Sequence, residues 1–313
     1  MLTSRQNVKQ LVILSGKGGT GKTSISASLM HLSESSKHQA VCVDADVDAA
    51  NLALISQAKQ ISTQSYWGSH IAEIDPQRCS LCGVCFEVCR YDAIIEPIAQ
   101  DDKYQVNPLL CDGCAACVYQ CPESAIQMVK QEDGEWFHSK TPYGNLFHAE
   151  LFPAAENTGK LVTTVKQNAK LFAEDHQIPL MIIDGPPGIG CPAISASAGA
   201  DLALLVAEPG VSGYHDLERI IKTLAHFNVP AMICINKADL DLKTTQAIHQ
   251  LANSHDYQIV AEIPFDDAFP KAMVEGLPIT EFAPENIASR KIKLIWNHIQ
   301  NFLFGAENET SRD

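Results

Sequence analysis

Short, mostly apolar strand-like segments recur along most of this chain, at residues 11–14, 41–43, 180–183, 202–206, 231–235 and 258–263. Between several of them the pattern shifts to a helical period, as in His215 to Phe227 and Thr244 to Asn253. Strands covered on both faces read as continuous apolar stretches, and their alternation with amphipathic helices is the schedule of a parallel sheet wound on both sides. The expected fold class is α/β, with a doubly wound, mostly parallel sheet. The tail from Asn286 to Phe304 sets Ile287, Ile292, Ile295, Ile299 and Phe302 near helical spacing, beside Arg290, Lys291 and Lys293. A helix packed on the core is expected there in preference to a membrane-surface helix, because its basic face is short and the chain is acidic. Residues after Gly305 are expected to fray.

Residues 71–130 break the schedule. Eight of the chain's 11 cysteines lie here in two runs, Cys79, Cys82, Cys85, Cys89 and Cys111, Cys114, Cys117, Cys121. Each run reads C-x2-C-x2-C-x3-C, a spacing that presents three thiolates to one [4Fe-4S] cube and sends the fourth to the cube of the other run. Crossed in this way, Cys79, Cys82, Cys85 and Cys121 hold one cluster, and Cys89, Cys111, Cys114 and Cys117 the other. Structural zinc is the simpler alternative, but zinc sites use paired Cys-x2-Cys knuckles, which a doubled four-thiol run does not match. Ala93-Ile94-Ile95 and Ala125 to Val129 supply short strands. The segment resembles bacterial two-cluster ferredoxins: Cys121 is followed by Pro122 as in that family, whereas Cys89 is followed by Arg90. That departure bears on local packing and solvent access. Residues 1–70 and 131–313 are therefore expected to form one domain, interrupted at 71–130 by an α+β insert of ferredoxin type, since insertion is tolerated at exposed loops with neighbouring ends.

The first apolar run leads into Gly16, Lys17, Gly18, Gly19, Thr20, Gly21, Lys22 and Thr23, then into a helical pattern. This is G-x4-G-K-[ST] in its strand–loop–helix setting, where backbone N–H groups and a helix N-terminus close around phosphates. Lys22 is expected on the outer phosphates and Thr23 on a magnesium ion. Two further strands end in carboxylates: residues 41–43 run into Asp44, Asp46 and Asp48, and residues 180–183 into Asp184-Gly185-Pro186-Pro187-Gly188. Carboxylates beside a triphosphate are what a magnesium shell and a hydrolytic switch require. Residues 231–235 continue into Asn236-Lys237-Ala238-Asp239, the form of a base-reading loop. Asp239 either accepts hydrogen bonds from a guanine edge or caps the following helix.

With Lys17 two residues before Gly19, the phosphate loop resembles the deviant form of the MinD, ParA, Mrp and nitrogenase iron protein superfamily. The resemblance implies an ATP-dependent sandwich homodimer in which Lys17 reaches the partner's nucleotide. It also implies that Asp44 steadies magnesium waters, that Asp46, with Asp48 as rival, orients the attacking water, and that Asp184 senses magnesium. In the same comparison Gly185 and Gly188 respond to the terminal phosphate, and Asn236 contacts adenine, so ATP is expected, with GTP as the alternative. The cysteine insert, Gly144, Asn157-Thr158-Gly159-Lys160 and Glu208-Pro209 through His215-Asp216-Leu217 resemble the branch of MinD-type ATPases that carries an inserted ferredoxin domain.

At 313 residues and 46% hydrophobic content the chain is long enough for one large core and a small satellite. Its net charge of −14 gives no basic surface for a nucleic-acid backbone. The N-terminus lacks the pattern of a secretion signal, no run spans a bilayer, and thiols in such number belong to a reducing compartment, so a cytoplasmic location is expected. Three cysteines stand outside the runs. Cys42 and Cys234 lie within apolar strands and are expected to be buried. Cys191 follows Asp184 by seven positions, where nitrogenase iron proteins carry a cluster ligand; a packed core cysteine is the preferred reading, a redox or interface contact the alternative. Taken together, the expected function is an ATP hydrolase whose nucleotide-driven dimer switch is coupled to electron transfer with a redox partner protein. The alternatives are an iron–sulfur or metal-cofactor carrier and a redox-sensing positioning ATPase.

Overall fold

A computed structural model of the chain describes residues 7–99, 102–153, 155 and 159–305. The residues expected to fray, 306–313, and Asn157 and Thr158 of the turn before residue 160 lie outside them. The described chain forms two compact units.

In order, the elements are β1 (Lys9–Ser15), α1 (Lys22–Glu34), β2 (Ala40–Asp44), α2 (Leu52–Ile55), β3 (Lys59–Tyr66), β4 (Ser69–Ile74), α3 (Val84–Val88), β5 (Ile94–Ile95), β6 (Gln105–Val106), α4 (Ala116–Gln120), β7 (Ile126–Gln131), β8 (Gly134–Thr141) and β9 (Gly144–Leu151). They continue with α5 (Lys160–Asp175), β10 (Leu180–Pro187), α6 (Cys191–Ser197), β11 (Leu202–Ala207), α7 (Val211–His226), β12 (Ala231–Asn236), α8 (Leu242–Ser254), β13 (Gln258–Ile263), α9 (Ala268–Val274), α10 (Ile279–Phe282) and α11 (Ile287–Phe304).

The larger unit is built on a nine-stranded sheet of order β13-β12-β11-β1-β10-β2-β9-β8-β3. Every neighbouring pair from β13 to β9 is parallel. Alternation along β1 sends Leu11 and Ile13 into the core shared with α1 and α11, so Val12 and Leu14 face the opposite layer. Helix α11 contributes Ile292, Ile295, Trp296, Ile299 and Leu303 to that core, so it is a packed helix of this unit. Among the described residues no helix is long and apolar enough to cross a membrane.

Six of these strands follow the apolar runs. The others, β3, β8 and β9, extend the sheet beyond β2 without such runs. β3 (KQISTQSY) is largely exposed, and an edge strand has no second covering layer to demand apolar residues. The chain leaves β1 for β2 on one side, with β10 inserted between them, while β11, β12 and β13 build outward on the other. The strand order thus reverses at β1, and in sheets of this kind ligands bind at the carboxyl ends of the strands at such a reversal.

The smaller unit comprises Ser65–Glu135 and a return segment from Leu151. It extends beyond 71–130 because the antiparallel β4–β7 ladder runs from Ile74↔Ile126 out to Ser69↔Gln131. A second short ladder pairs β5 with β6. Ala72, Cys85, Ile94 and Ile126 form its core.

Candidate functional site

The phosphate loop leaves β1 at Ser15, whose hydroxyl donates to the Lys17 carbonyl at 2.7 Å. Gly19 and Gly21 take left-handed φ of 78° and 93°, a region that L side chains rarely adopt. Gly21 is also hemmed in: a Cβ there would lie 2.4 Å from Asn236 Nδ2. Lys22 opens α1 with its side chain buried, and burial pulls its ammonium below the usual lysine range against the opposing pull of Asp184, Asp46 and Asp44.

Asp44, the last residue of β2, and Asp184, within β10, are register partners on adjacent strands, and both are buried. Burial pushes both carboxyls up; Asp184 raises Asp44 further, while Lys22 pulls Asp184 back down. Asp44 accepts from the backbone N–H groups of Asp46 (3.1 Å) and Leu52 (2.9 Å), so the chain after β2 is folded around its two oxygens. Asp184 accepts from Ser26 Oγ at 2.8 Å and from the Thr23 hydroxyl. Asp46 is half-buried and interacts electrostatically with Lys22, whereas Asp48 is exposed. The second carboxylate loop is tied to the first arm of the phosphate loop through the Gly188 N–H, which donates to the Ser15 carbonyl at 2.9 Å.

Two buried carboxylates and a threonine hydroxyl are hard oxygen donors of the kind magnesium takes. Thr20 Oγ1 and Asn236 Oδ1, beside the same loop, are buried without a hydrogen-bond partner among the described residues. Orphaned polar atoms are uncommon in protein interiors, and here they border the loop whose N–H groups suit phosphate. The donor set fits a magnesium–nucleotide complex.

Asn236 stands against the loop itself, its Nδ2 donating to the Thr20 carbonyl at 2.8 Å. Asp239 accepts from the Phe265 N–H at 2.7 Å and links the loops after β12 and β13. It does not cap α8. That role falls to Asp241, which accepts from Lys243 and Thr244, because the helix begins two residues later than the motif suggests. Cys191 is exposed at the first turn of α6, which corrects the expectation of a packed core cysteine; Pro192 starts the helix there and leaves the preceding side chain outside the core. Cys42 and Cys234 are fully buried.

Sequence reading missed several partners. Ser26 lies one helical turn after Thr23 and meets Asp184, a spacing that could have flagged it. Lys166 lies in the apolar stripe of α5 between Val162, Val165 and Ala169, and its Nζ donates to the Ser195, Ala196 and Ala198 carbonyls at the end of α6. Glu208, at the end of β11, pairs with Lys17 and Lys237.

In the smaller unit the two cysteine runs sort into two cavities. Cys79, Cys82, Cys85 and Cys121 line one; Cys89, Cys111, Cys114 and Cys117 line the other. Each cavity thus draws three thiols from one run and its fourth from the other. The runs are also conformational repeats at a spacing of 32 residues, Cys79 to Cys111. Positive φ recurs at Leu81 and Gly113, Gly83 and Ala115, and Asp92 and Ser124. The Ala93 N–H donates to Cys89 Sγ at 3.4 Å and the Ala125 N–H to Cys121 Sγ at 3.3 Å. Among the described residues no three His, Cys, Asp or Glu side chains converge on a single-ion site. Four thiols lining one cavity match in number the four irons of a cube, each of which takes one sulfur, and N–H···S bonds are among the features that tune such clusters.

The CobQ/CobB/MinD/ParA nucleotide binding domain profile matches residues 11–279. An uncharacterized protein of Methanocaldococcus jannaschii is 34% identical over 296 residues, covering 95% of this chain and 98% of that protein. The septum site-determining protein MinD of Pyrococcus horikoshii OT3, solved in complex with Mg-ADP, shares the fold, with a TM-score of 0.60 at 17% identity over 96% of this chain and all of that one. Over 52 residues, 17% of this chain and 63% of that protein, the chain is 40% identical to the 7Fe ferredoxin of Hydrogenibacillus schlegelii.

Proposed function

The chain belongs to the CobQ/CobB/MinD/ParA nucleotide-binding family, and from that premise we propose that it is an ATP-driven dimer switch coupled to electron transfer through two [4Fe-4S] clusters. The observation that carries the proposal is the sorting of eight cysteines into two four-thiol cavities within a chain that also holds a complete phosphate loop. Bound clusters would supply reversible one-electron storage. The Gly16–Thr23 backbone and Lys22 hold the phosphates, while Thr23, Asp44 and Asp184 hold the magnesium shell. Asp46, half-buried and electrostatically felt by Lys22, orients water, and Lys17 serves the nucleotide of the second protomer.

Coupling here means linkage: nucleotide and electron influence each other only through a free-energy difference between open and closed dimers. The Gly188–Ser15 bond joins the two loops that would flank a terminal phosphate, which makes it a contact through which nucleotide state could be felt. Four ligands committed to each cavity favour resident clusters over transferable cargo. Redox titration of the anaerobically reconstituted chain, with and without ATP, tests the reading. If reduction changes ATP affinity tenfold, the potential must move by about 59 mV. Unmoved potentials together with unmoved electron-transfer rates would refute it.

A further inference from the structure

We propose that Glu208 is the restraint that parks Lys17 on its own protomer until the nucleotide-bound dimer closes, an inference that rests on the sandwich-dimer reading above. Glu208 directly follows the last residue of β11. Its two oxygens serve two lysines: Oε2 lies 3.7 Å from Lys17 Nζ, and Oε1 lies 3.4 Å from Lys237 Nζ. Lys237 donates in turn to the Gly19 carbonyl at 3.1 Å. One carboxylate therefore links the first arm of the phosphate loop to the loop after β12.

The two ends of the Lys17–Glu208 contact differ in freedom. The Glu208 side chain is 17% exposed and that of Lys17 37%. The Glu208 backbone is also pinned, because a Cβ at Gly213 would lie 2.1 Å from its carbonyl oxygen, so only glycine lets the first turn of α7 sit so close. Lys17 stands at the solvent margin on a long, flexible stem. The carboxylate is the fixed half of the contact and the ammonium the half that can leave.

Glu208 competes for the Lys17 ammonium with the phosphate that the ammonium would serve on the other protomer. In the sandwich-dimer reading, closure draws the Lys17 head away from Glu208 and weakens this contact in both protomers. The contact opposes closure, and a triphosphate, with more charge than one carboxylate, is what displaces it. An ion pair of this exposure shifts an equilibrium by about threefold, so two released together shift dimerisation by about tenfold.

The test uses the full chain with magnesium and a slowly hydrolysed ATP analogue, the dimer dissociation constant being read by sedimentation. Glu208→Gln is expected to tighten the dimer about tenfold. In a Lys17→Ala background the same substitution should produce no gain, whereas in a Lys237→Ala background the gain should persist. A Glu208→Gln dimer no tighter than wild type, or a gain that survives loss of Lys17, overturns the restraint while leaving the dimer reading intact. Failure of both wild type and Glu208→Gln to dimerise overturns the dimer reading and the restraint with it. Should Glu208→Gln not fold, Glu208→Asp, whose carboxylate is one methylene short of both lysines, carries the same expectations.

Discussion

Crossed ligation in the smaller unit is open to a direct count. Cys79 and Cys121 line one cavity although they come from different runs, while Cys79 and Cys89, the first and last of one run, line different cavities. Replacing two cysteines of the same cavity should therefore spare the other cluster, and replacing one of each should disable both. With four irons per cluster, Cys79→Ala/Cys121→Ala is expected to retain about four irons per chain and Cys79→Ala/Cys89→Ala close to none, against about eight in the wild type. All three positions are half-buried, so the two variants remove comparable packing and differ mainly in which cavity they deplete. Cys79→Ala/Cys117→Ala should lose both clusters under either grouping and serves as the control. The assay is iron and acid-labile sulfide after anaerobic reconstitution, with paramagnetic resonance of the reduced protein to count centres. The reverse result, four irons in the Cys79/Cys89 variant and none in Cys79/Cys121, would show that each run holds its own cluster and would refute the crossed assignment.

Three further outcomes follow from the larger unit. Lys22→Ala removes the buried ammonium that faces Asp44, Asp46 and Asp184 and should weaken ATP binding by about a hundredfold or more, read by calorimetry. Gly16→Ala would set a Cβ 2.0 Å from Asp216 Cβ and 2.9 Å from two of its backbone atoms. The helix backbone must shift to admit it, at about 2 kcal/mol, seen as a fall of roughly 5 °C in the unfolding midpoint. Burial on β9 holds His148 down to about 4, below its ordinary 6.5. Between those values the unfolded chain binds more protons, so stability is greatest above the upper one and falls on acidification, by up to about 3 kcal/mol once the pH passes below the lower one. Denaturant midpoints of wild type and His148→Gln from pH 7 to 4 should converge as the pH falls if this group is responsible.

Much of the larger unit was legible because its strands are covered on both faces, and such strands must be written in apolar residues. The phosphate loop was legible for a related reason: left-handed turns at Gly19 and Gly21 and a buried Lys22 at a helix start leave few residue types at fixed spacing. Strands β3, β8 and β9 were not, since exposed edge positions tolerate polar residues and leave no run to read. The spacing of the cysteine runs leads to the expectation of crossed ligation, and the two cavities are lined by the same two groups of four.

The sequence by itself determined the elements whose chemistry is local: the apolar strands, the glycine turns and the thiol spacings. The tertiary structure alone decided which distant groups meet. It set Asp44 beside Asp184 through strand register, committed Asn236 to the Thr20 carbonyl, gave the α8 cap to Asp241, exposed Cys191, and brought Glu208 between Lys17 and Lys237. The physical reason is that a carboxylate or an amide takes whichever donor the fold delivers within about 3 Å to 4 Å, and that delivery depends on strand order and helix packing, which no short stretch of chain encodes.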